Sequence, residues 1–248
     1  MSGLNKEKKD YVNKFISIGQ CNQETAIKLL TQNNWNLDRA INSLYSDSNA
    51  VTMRRELFFK YKNDKFDKIL ATGTQTLLDD INVDPSSILA LAFAWKCNAR
   101  VQAEFSEEEF LRGLKELQAS NISELENRVK FLNEELSEDS NFKSLYQYTF
   151  SFANVNPTSG KSLEVTSAIS YWKLLFANRF HHLDLWYEFL AEEYEKNISQ
   201  DTWNLFYEFI TMLNEDMSNY DADGAWPVAF DCFVEYAKSK LQTKSLSM

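Results

Sequence analysis

Glycine and proline are scarce in this chain of 248 residues, six and three respectively, where together they would usually be ~12% of a protein. A β-sandwich or an α/β fold needs many turns with special backbone angles, so the scarcity favours long helices joined by short polar loops. There are three cysteines, Cys21, Cys97 and Cys232, far apart in sequence. Three cannot all pair, which argues against a disulfide framework and a multi-cysteine zinc site and suits a reducing compartment. The two histidines, His181 and His182, are adjacent and so do not share a helix face, making a poor metal pair. No stretch approaches the ~18 uncharged apolar residues of a membrane span. The start Met1-Ser2-Gly3-Leu4-Asn5-Lys6 lacks a signal-peptide core and has glycine third, not second, so neither a secretory signal nor a myristoyl anchor is expected. A soluble protein of the cytoplasm and nucleus is the expectation.

Basic charge is short as well. The net charge is −10, and it is uneven: residues 1–50 carry six basic and five acidic side chains, whereas Asp201 to Ala237 hold eight carboxylates and no Lys or Arg. Nucleic acid requires a basic footprint that this chain does not have. An acidic face invites a basic protein partner, although a solvated surface is the commoner origin of a charge run. What the chain has in quantity is aromatic side chains, 18 Phe, 11 Tyr and 6 Trp, enough for a large stiff core or aromatic-lined grooves.

Helix signals recur with clear punctuation. Residues 7–46 predict three short helices: Val12, Phe15 and Ile16 stripe the first, Asn22 caps a second carrying Ala26, Leu29 and Leu30, and Asn36 caps a third with Ala40, Ile41, Leu44 and Tyr45 on one face. Ser46-Asp47-Ser48-Asn49 then reads as a linker. Asp84-Pro85 predicts a capped start for the apolar run 88–95. Ser106 with Glu109 forms a capping box flanked by a Phe105–Phe110 staple, Ser123 with Glu126 repeats the box, Ser199 opens another helix with an Ile198–Trp203 staple, and Pro227 opens the last. Short β-bridges are expected near 69–70 and 161–163. The prediction is an all-α protein: a three-helix domain over 7–46 and a larger helical domain over 51–242.

Catalytic machinery is not visible. There is no glycine-rich phosphate loop, no His/Cys cluster and no evident Ser–His or Cys–His pair. Cys97 follows an apolar helix and reads as a small buried hydrophobe rather than a nucleophile. Asn219-Tyr220-Asp221-Ala222-Asp223-Gly224 resembles the first half of a calcium loop, but position twelve, which should be a bidentate Glu, is Phe230. It reads as a metal-free relic of EF-hand geometry, with 63–74 a second ligand-poor loop; no metal and no cofactor are expected. Ala225 before Trp226-Pro227, with Asp231 one turn further on, outlines a small acidic notch able to accept charge-assisted hydrogen bonds from Lys or Arg. On the plainer account, Trp226 and Phe230 pack the core and the acids face water.

Asp201-Thr202-Trp203-Asn204-Leu205, Asp216-Met217-Ser218-Asn219-Tyr220-Asp221 and Gly224-Ala225-Trp226-Pro227-Val228 resemble the C-terminal part of the defective-in-cullin-neddylation family. Its potentiating-neddylation domain also shows patterns like Asp84-Pro85, Ala94-Trp95-Lys96, Tyr146-Gln147, Ala168-Ile169, Tyr171-Trp172 and Leu183-Asp184-Leu185-Trp186, in order over about 51–242. The N-terminal bundle, with Asn33-Asn34-Trp35-Asn36-Leu37, is similar to the family's ubiquitin-associated domain.

The resemblance implies two metal-free EF-hand-like units and a scaffold-type E3 component. Such a protein binds the C-terminal region of a cullin together with the N-terminally acetylated neddylation E2 and promotes transfer of a ubiquitin-like modifier to a cullin lysine, without being an enzyme itself. It places the cullin patch on Asp201, Ala225 and Asp231. It places the pocket for the acetylated methionine around Ala90, Phe93, Cys97, Gln102, Phe105, Phe152, Tyr171 and Leu174, and ubiquitin or a ubiquitin-like modifier near Ile18 and Gly19. The alternatives are a ubiquitin-binding adaptor without a role in transfer, a calcium sensor, and an enzyme acting through Cys97.

Overall fold

The computed structural model describes residues 4–154, 162–177, 180–194 and 196–245. Twelve helices are found among them: α1 Lys6–Gly19, α2 Gln23–Gln32, α3 Leu37–Tyr61, α4 Ala71–Asp80, α5 Ile88–Cys97, α6 Glu107–Glu116, α7 Ile122–Glu135, α8 Asp139–Ala153, α9 Val165–Phe176, α10 Leu183–Glu192, α11 Gln200–Met212 and α12 Val228–Ser245. Four two-residue strands join them, β1 Lys68–Ile69, β2 Phe105–Ser106, β3 Ser162–Leu163 and β4 Ile198–Ser199. The protein is all-α with an N-terminal helical bundle, as its glycine- and proline-poor composition implies.

Two apolar cores form. In the first, α1 and α2 close on the start of α3 through Val12, Phe15, Ala26, Leu29, Leu30 and Ala40. The second runs from Phe58 to Ala237. Both draw on α3, and here the structure corrects the sequence reading: residues 46–49 are not a linker but lie inside one helix of 25 residues. No Gly or Pro interrupts it, and the polar side chains turn back on the helix itself. The Ser48 hydroxyl donates to the Leu44 carbonyl at 3.0 Å and the Thr52 hydroxyl to that of Ser48 at 3.1 Å. Further along, Arg54 Nε donates to the Ala119 carbonyl at 2.8 Å and Phe58 and Tyr61 enter the larger core.

The larger core repeats one device. β1 pairs antiparallel with β2, Ile69 opposite Phe105 and Lys68 opposite Ser106; β3 pairs with β4, Leu163 opposite Ile198 and Ser162 opposite Ser199. In each pair the apolar residues are buried and the polar ones face outward, the period-two alternation of a strand compressed to its minimum. Ser106 and Ser199 then act as N-caps of α6 and α11, their hydroxyls accepting from the amides of Glu109 and Thr202. The expected bridges near 69–70 and 161–163 fall at 68–69 and 162–163, with Lys161 outside the described residues; their partners β2 and β4 carried no periodicity long enough to read.

Two caps shift. Asp84 accepts from the amide and hydroxyl of Ser86 and so caps a turn, while Ser87 caps α5. Asn121, not Ser123, caps α7 by accepting from the Glu124 amide, and the Glu124 carboxylate in turn accepts from the Ser120 amide; Glu126 is engaged by Lys130 and Asn82 instead. The Ser106–Glu109 box forms as predicted, with Phe105 and Phe110 packed at 6.3 Å between ring centroids. Asn219–Gly224 belongs to neither paired loop; it lies between α11 and α12, where the Asp221 carboxylate accepts from the Asp223 amide in an Asx turn. Among the described residues no group of three or more His, Cys, Asp or Glu is placed to hold a metal ion, and no helix is long and apolar enough to cross a membrane.

Candidate functional sites

A cleft of about 270 Å³ opens between α4, α5, the 98–104 loop, α8 and α9. Seven of the eight residues expected there line it: Ala90, Phe93, Gln102, Phe105, Phe152, Tyr171 and Leu174. The eighth, Cys97, does not. It is fully buried at the end of α5, one turn beyond Phe93, against α6, where a Cβ on Gly113 would stand 2.2 Å from its sulfur. Burial pushes its thiol well up, which removes the nucleophile reading as well.

Stiff aromatic contacts build the cleft. Phe93 and Phe105 pack at 5.4 Å over Phe110. Phe152 is backed by Tyr148, stacked at 5.3 Å, whose hydroxyl donates to the Ala99 carbonyl at 2.9 Å. Gln102 donates its amide N–H to the Phe152 carbonyl at 3.4 Å, and the Thr74 hydroxyl ties α4 to the loop by donating to the Ala103 carbonyl at 2.8 Å. Burial raises the Tyr171 phenol above its ordinary pKa, so it stays neutral. The wall contributed by Ala71, Thr74, Gln75 and Leu78 of α4, together with Pro85, escaped the sequence reading because nothing local ties α4 to this place. Among the described residues no charged side chain lines the cleft.

The acidic residues lie where α11 and α12 begin. Asp201 is exposed in the first turn of α11, Ala225 is exposed just ahead of α12, and Asp231 is half-buried in α12's first turn. Thr202 lines one surface groove with Pro227, Val228, Ala229 and Cys232, so the two helix starts are neighbours. Gly224 lets the chain turn under Trp226: a Cβ there would meet the indole at 2.9 Å. Trp226 and Phe230 do pack against the aromatic core, 6.0 and 4.4 Å from Phe209, yet Ala225 between Gly224 and Trp226 stays open. The Tyr220 hydroxyl donates to Asp231.

In the N-terminal bundle, Ile18 is 48% exposed and Tyr45 52%. The Tyr45 hydroxyl donates to the Ile18 carbonyl at 3.4 Å. Gly19 is half-buried against Leu44.

These features describe a helical protein with two separate cores, an uncharged aromatic cleft and an acidic corner. Residues 124–236 match the family model described as "Cullin binding", and residues 9–50 match a "UBA-like domain". The chain is similar to DCN1-like protein 3 of Xenopus laevis, 38% identical over 192 residues, 76% of this chain and 63% of that protein. It is 36% identical to DCN1-like protein 3 of Xenopus tropicalis over 208 residues, 81% of this chain and 69% of that protein. Defective in cullin neddylation protein 1 of Caenorhabditis elegans is 29% identical over 278 residues, 97% of this chain and 93% of that protein. The chain thus spans roughly two thirds of the length of the two frog relatives, and it belongs to the DCN1-like, defective-in-cullin-neddylation family.

Proposed function

We propose that this protein is a non-catalytic scaffold that holds a cullin and an N-terminally acetylated neddylation E2 together, so that a ubiquitin-like modifier passes from the E2 to a cullin lysine. The observation that carries the reading is the chemical contrast between two open sites on one chain: an aromatic cleft with no charged residue among its described lining, and an acidic corner with Asp201 and Ala225 exposed.

An acetylated methionine is neutral, so it enters an uncharged cleft without the cost of stripping water from an ammonium group. At the acidic corner, Asp201 and Asp231 are read as acceptors for basic cullin side chains and Ala225 as the small residue that lets the backbone approach. The rate gain then comes from proximity and orientation, which lower the entropic part of the barrier without any acid or base from the scaffold. We read residues 7–46 and 51–242 as the two domains. The two loop pairs are read as metal-free EF-hand-like units, supported by the strand pairing that joins loop to loop in each. Work in the cytoplasm and nucleus fits this role.

Exposed Ile18 and Tyr45 favour a second reading in which the bundle binds ubiquitin or a ubiquitin-like modifier and the chain is an adaptor. Reconstituted cullin modification separates the two. Wild type should stimulate transfer, the Asp201→Ala/Ala225→Arg/Asp231→Ala variant should not, and removal of residues 1–46 should leave stimulation in place. Loss on that truncation alone would favour the adaptor.

A further inference from the structure

We infer that Tyr220 is a positioning residue for the acidic corner: its hydroxyl holds one oxygen of the Asp231 carboxylate, so that the other is presented outward in a fixed orientation. The inference rests on the reading of Asp231 as part of a partner-binding patch.

Asp231 needs such a restraint because of where it sits. It lies in the first turn of α12, a turn entered through Pro227. The free amides and the positive end of the helix dipole draw a nearby carboxylate back toward the chain. A side chain free to choose between its own helix and solvent would have to be ordered each time a partner docked. Tyr220 donates to Asp231 Oδ1 from eleven residues away, across the loop between α11 and α12. Only one carboxylate oxygen is engaged by it.

Tyr220 is itself well fixed. Its ring stands edge-on to Phe209, 5.9 Å between centroids at 88°, and Phe209 is fully buried and stacked on Phe230 at 4.4 Å. The loop beneath is pinned on both sides. Asn219 accepts from the Asn214 amide at 3.0 Å and donates to the Met212 carbonyl at 2.6 Å, and Met217 is fully buried. Orientation therefore passes from the core at Phe209, through Tyr220, to Asp231. Burial and the bond to Asp231 both raise the Tyr220 phenol above its ordinary pKa, so the proton stays on the donor.

The full-length chain with Tyr220→Phe keeps the ring and removes the hydroxyl. Three-bond couplings at Asp231, read by NMR without any partner, should report one χ1 rotamer in the wild type and averaging in Tyr220→Phe. Unchanged couplings overturn the inference. Affinity for a purified cullin C-terminal region should fall about threefold to tenfold, the scale of ordering one side chain on binding. The fall should vanish when Tyr220→Phe is placed in an Asp231→Asn background. An equal fall in that background would make Tyr220 a merely structural residue and overturn the inference. An Asp231→Asn protein that binds as tightly as wild type would overturn the reading of the patch instead, and the couplings alone would then decide on Tyr220.

Discussion

Tyr146 and Trp203 clasp each other at the centre of the larger core. The Tyr146 hydroxyl donates to the Trp203 carbonyl at 2.6 Å, and the Trp203 indole N–H donates back to the Tyr146 carbonyl at 3.0 Å. Their rings stack at 4.8 Å and 13°, and Trp172 also stacks on Trp203, at 5.0 Å and 12°. The Trp172 N–H donates to the same Tyr146 hydroxyl at 3.0 Å. α8, α9 and α11 are thus joined by directional bonds inside an apolar interior, where each bond excludes alternative packings.

Tyr146→Phe is accordingly expected to cost about 1–3 kcal/mol of stability, because it leaves the buried Trp172 indole N–H without its partner and strips the Trp203 carbonyl of its second bond, beyond the one made within α11. Urea unfolding followed by Trp fluorescence measures it. A change under about 0.5 kcal/mol, within the scatter of surface substitutions, would mean that the bonds contribute little.

The packing of Cys97 on Gly113 gives a second test. Gly113→Ala forces a methyl into the space of the Cys97 sulfur, and overpacking of this kind costs about 1–3 kcal/mol. Adding Cys97→Ala should recover part of the loss, since the closest clash is with the sulfur, whereas the Cys97 Cα stays 3.2 Å away. A double variant no more stable than Gly113→Ala alone, by thermal melting, would count against this account.

At the acidic corner, Asp201→Ala and Asp231→Ala are each expected to weaken cullin binding by about 1.5–3 kcal/mol, the range for hydrogen bonds to charged groups. Ala225→Arg should abolish it. Asp201 and Ala225 are exposed, so their melting temperatures should match wild type. Undiminished affinity in a folded Asp201→Ala/Asp231→Ala protein would exclude the patch.

For the aromatic cleft, calorimetry with the N-terminal E2 peptide should show strong preference for the acetylated form over the free amine. Leu174→Ala should weaken the acetylated peptide with little loss of stability, since that side chain is only partly buried. Equal affinity for the two peptides would remove the assignment.

Stability should decline on acidification below pH ~4, near the ordinary carboxylate pKa. Carboxyls held below their ordinary values include Asp80, by the Lys60 ammonium and then the Tyr61 hydroxyl, Asp84, by the Ser86 hydroxyl and amide, Glu126, by Lys130 and then Asn82, and Asp216, by the Ser218 amide and hydroxyl. Their folded pKa values lie below the unfolded ones, so the unfolded chain takes up protons first and the stabilisation disappears as pH falls through the folded values. Asp80→Asn should flatten the acid limb of a plot of urea midpoint against pH. An acid limb superimposable on wild type would show that the Lys60–Asp80–Tyr61 group makes no such contribution.

Much of this was legible locally. The Asn22, Asn36, Ser106 and Ser199 caps and the Phe105–Phe110 staple lie where the spacing puts them, because cap bonds and the contacts of neighbouring turns depend on nearby residues alone. Seven of the eight cleft residues came from motif resemblance and not from periodicity. Cys97 shares the helical face of Ala90 and Phe93 but lies one turn beyond Phe93, at the end of α5, where Gly113 of α6 covers it, a contact that spacing along α5 does not show. The linker was misread because Ser, Asp and Asn favour loops only where nothing anchors a helix on both sides.

The sequence by itself determined an all-helical, acidic, aromatic-rich chain, since composition, cap chemistry and the 3.6-residue period act within a few residues of one another. Only the tertiary structure decided that α3 serves two cores, that α4 closes the aromatic cleft, that Ser106 and Ser199 pair with distant strands before capping their helices, and that Tyr220 reaches Asp231. Those relations join positions up to tens of residues apart, and their energy exists only once packing has already brought the partners together.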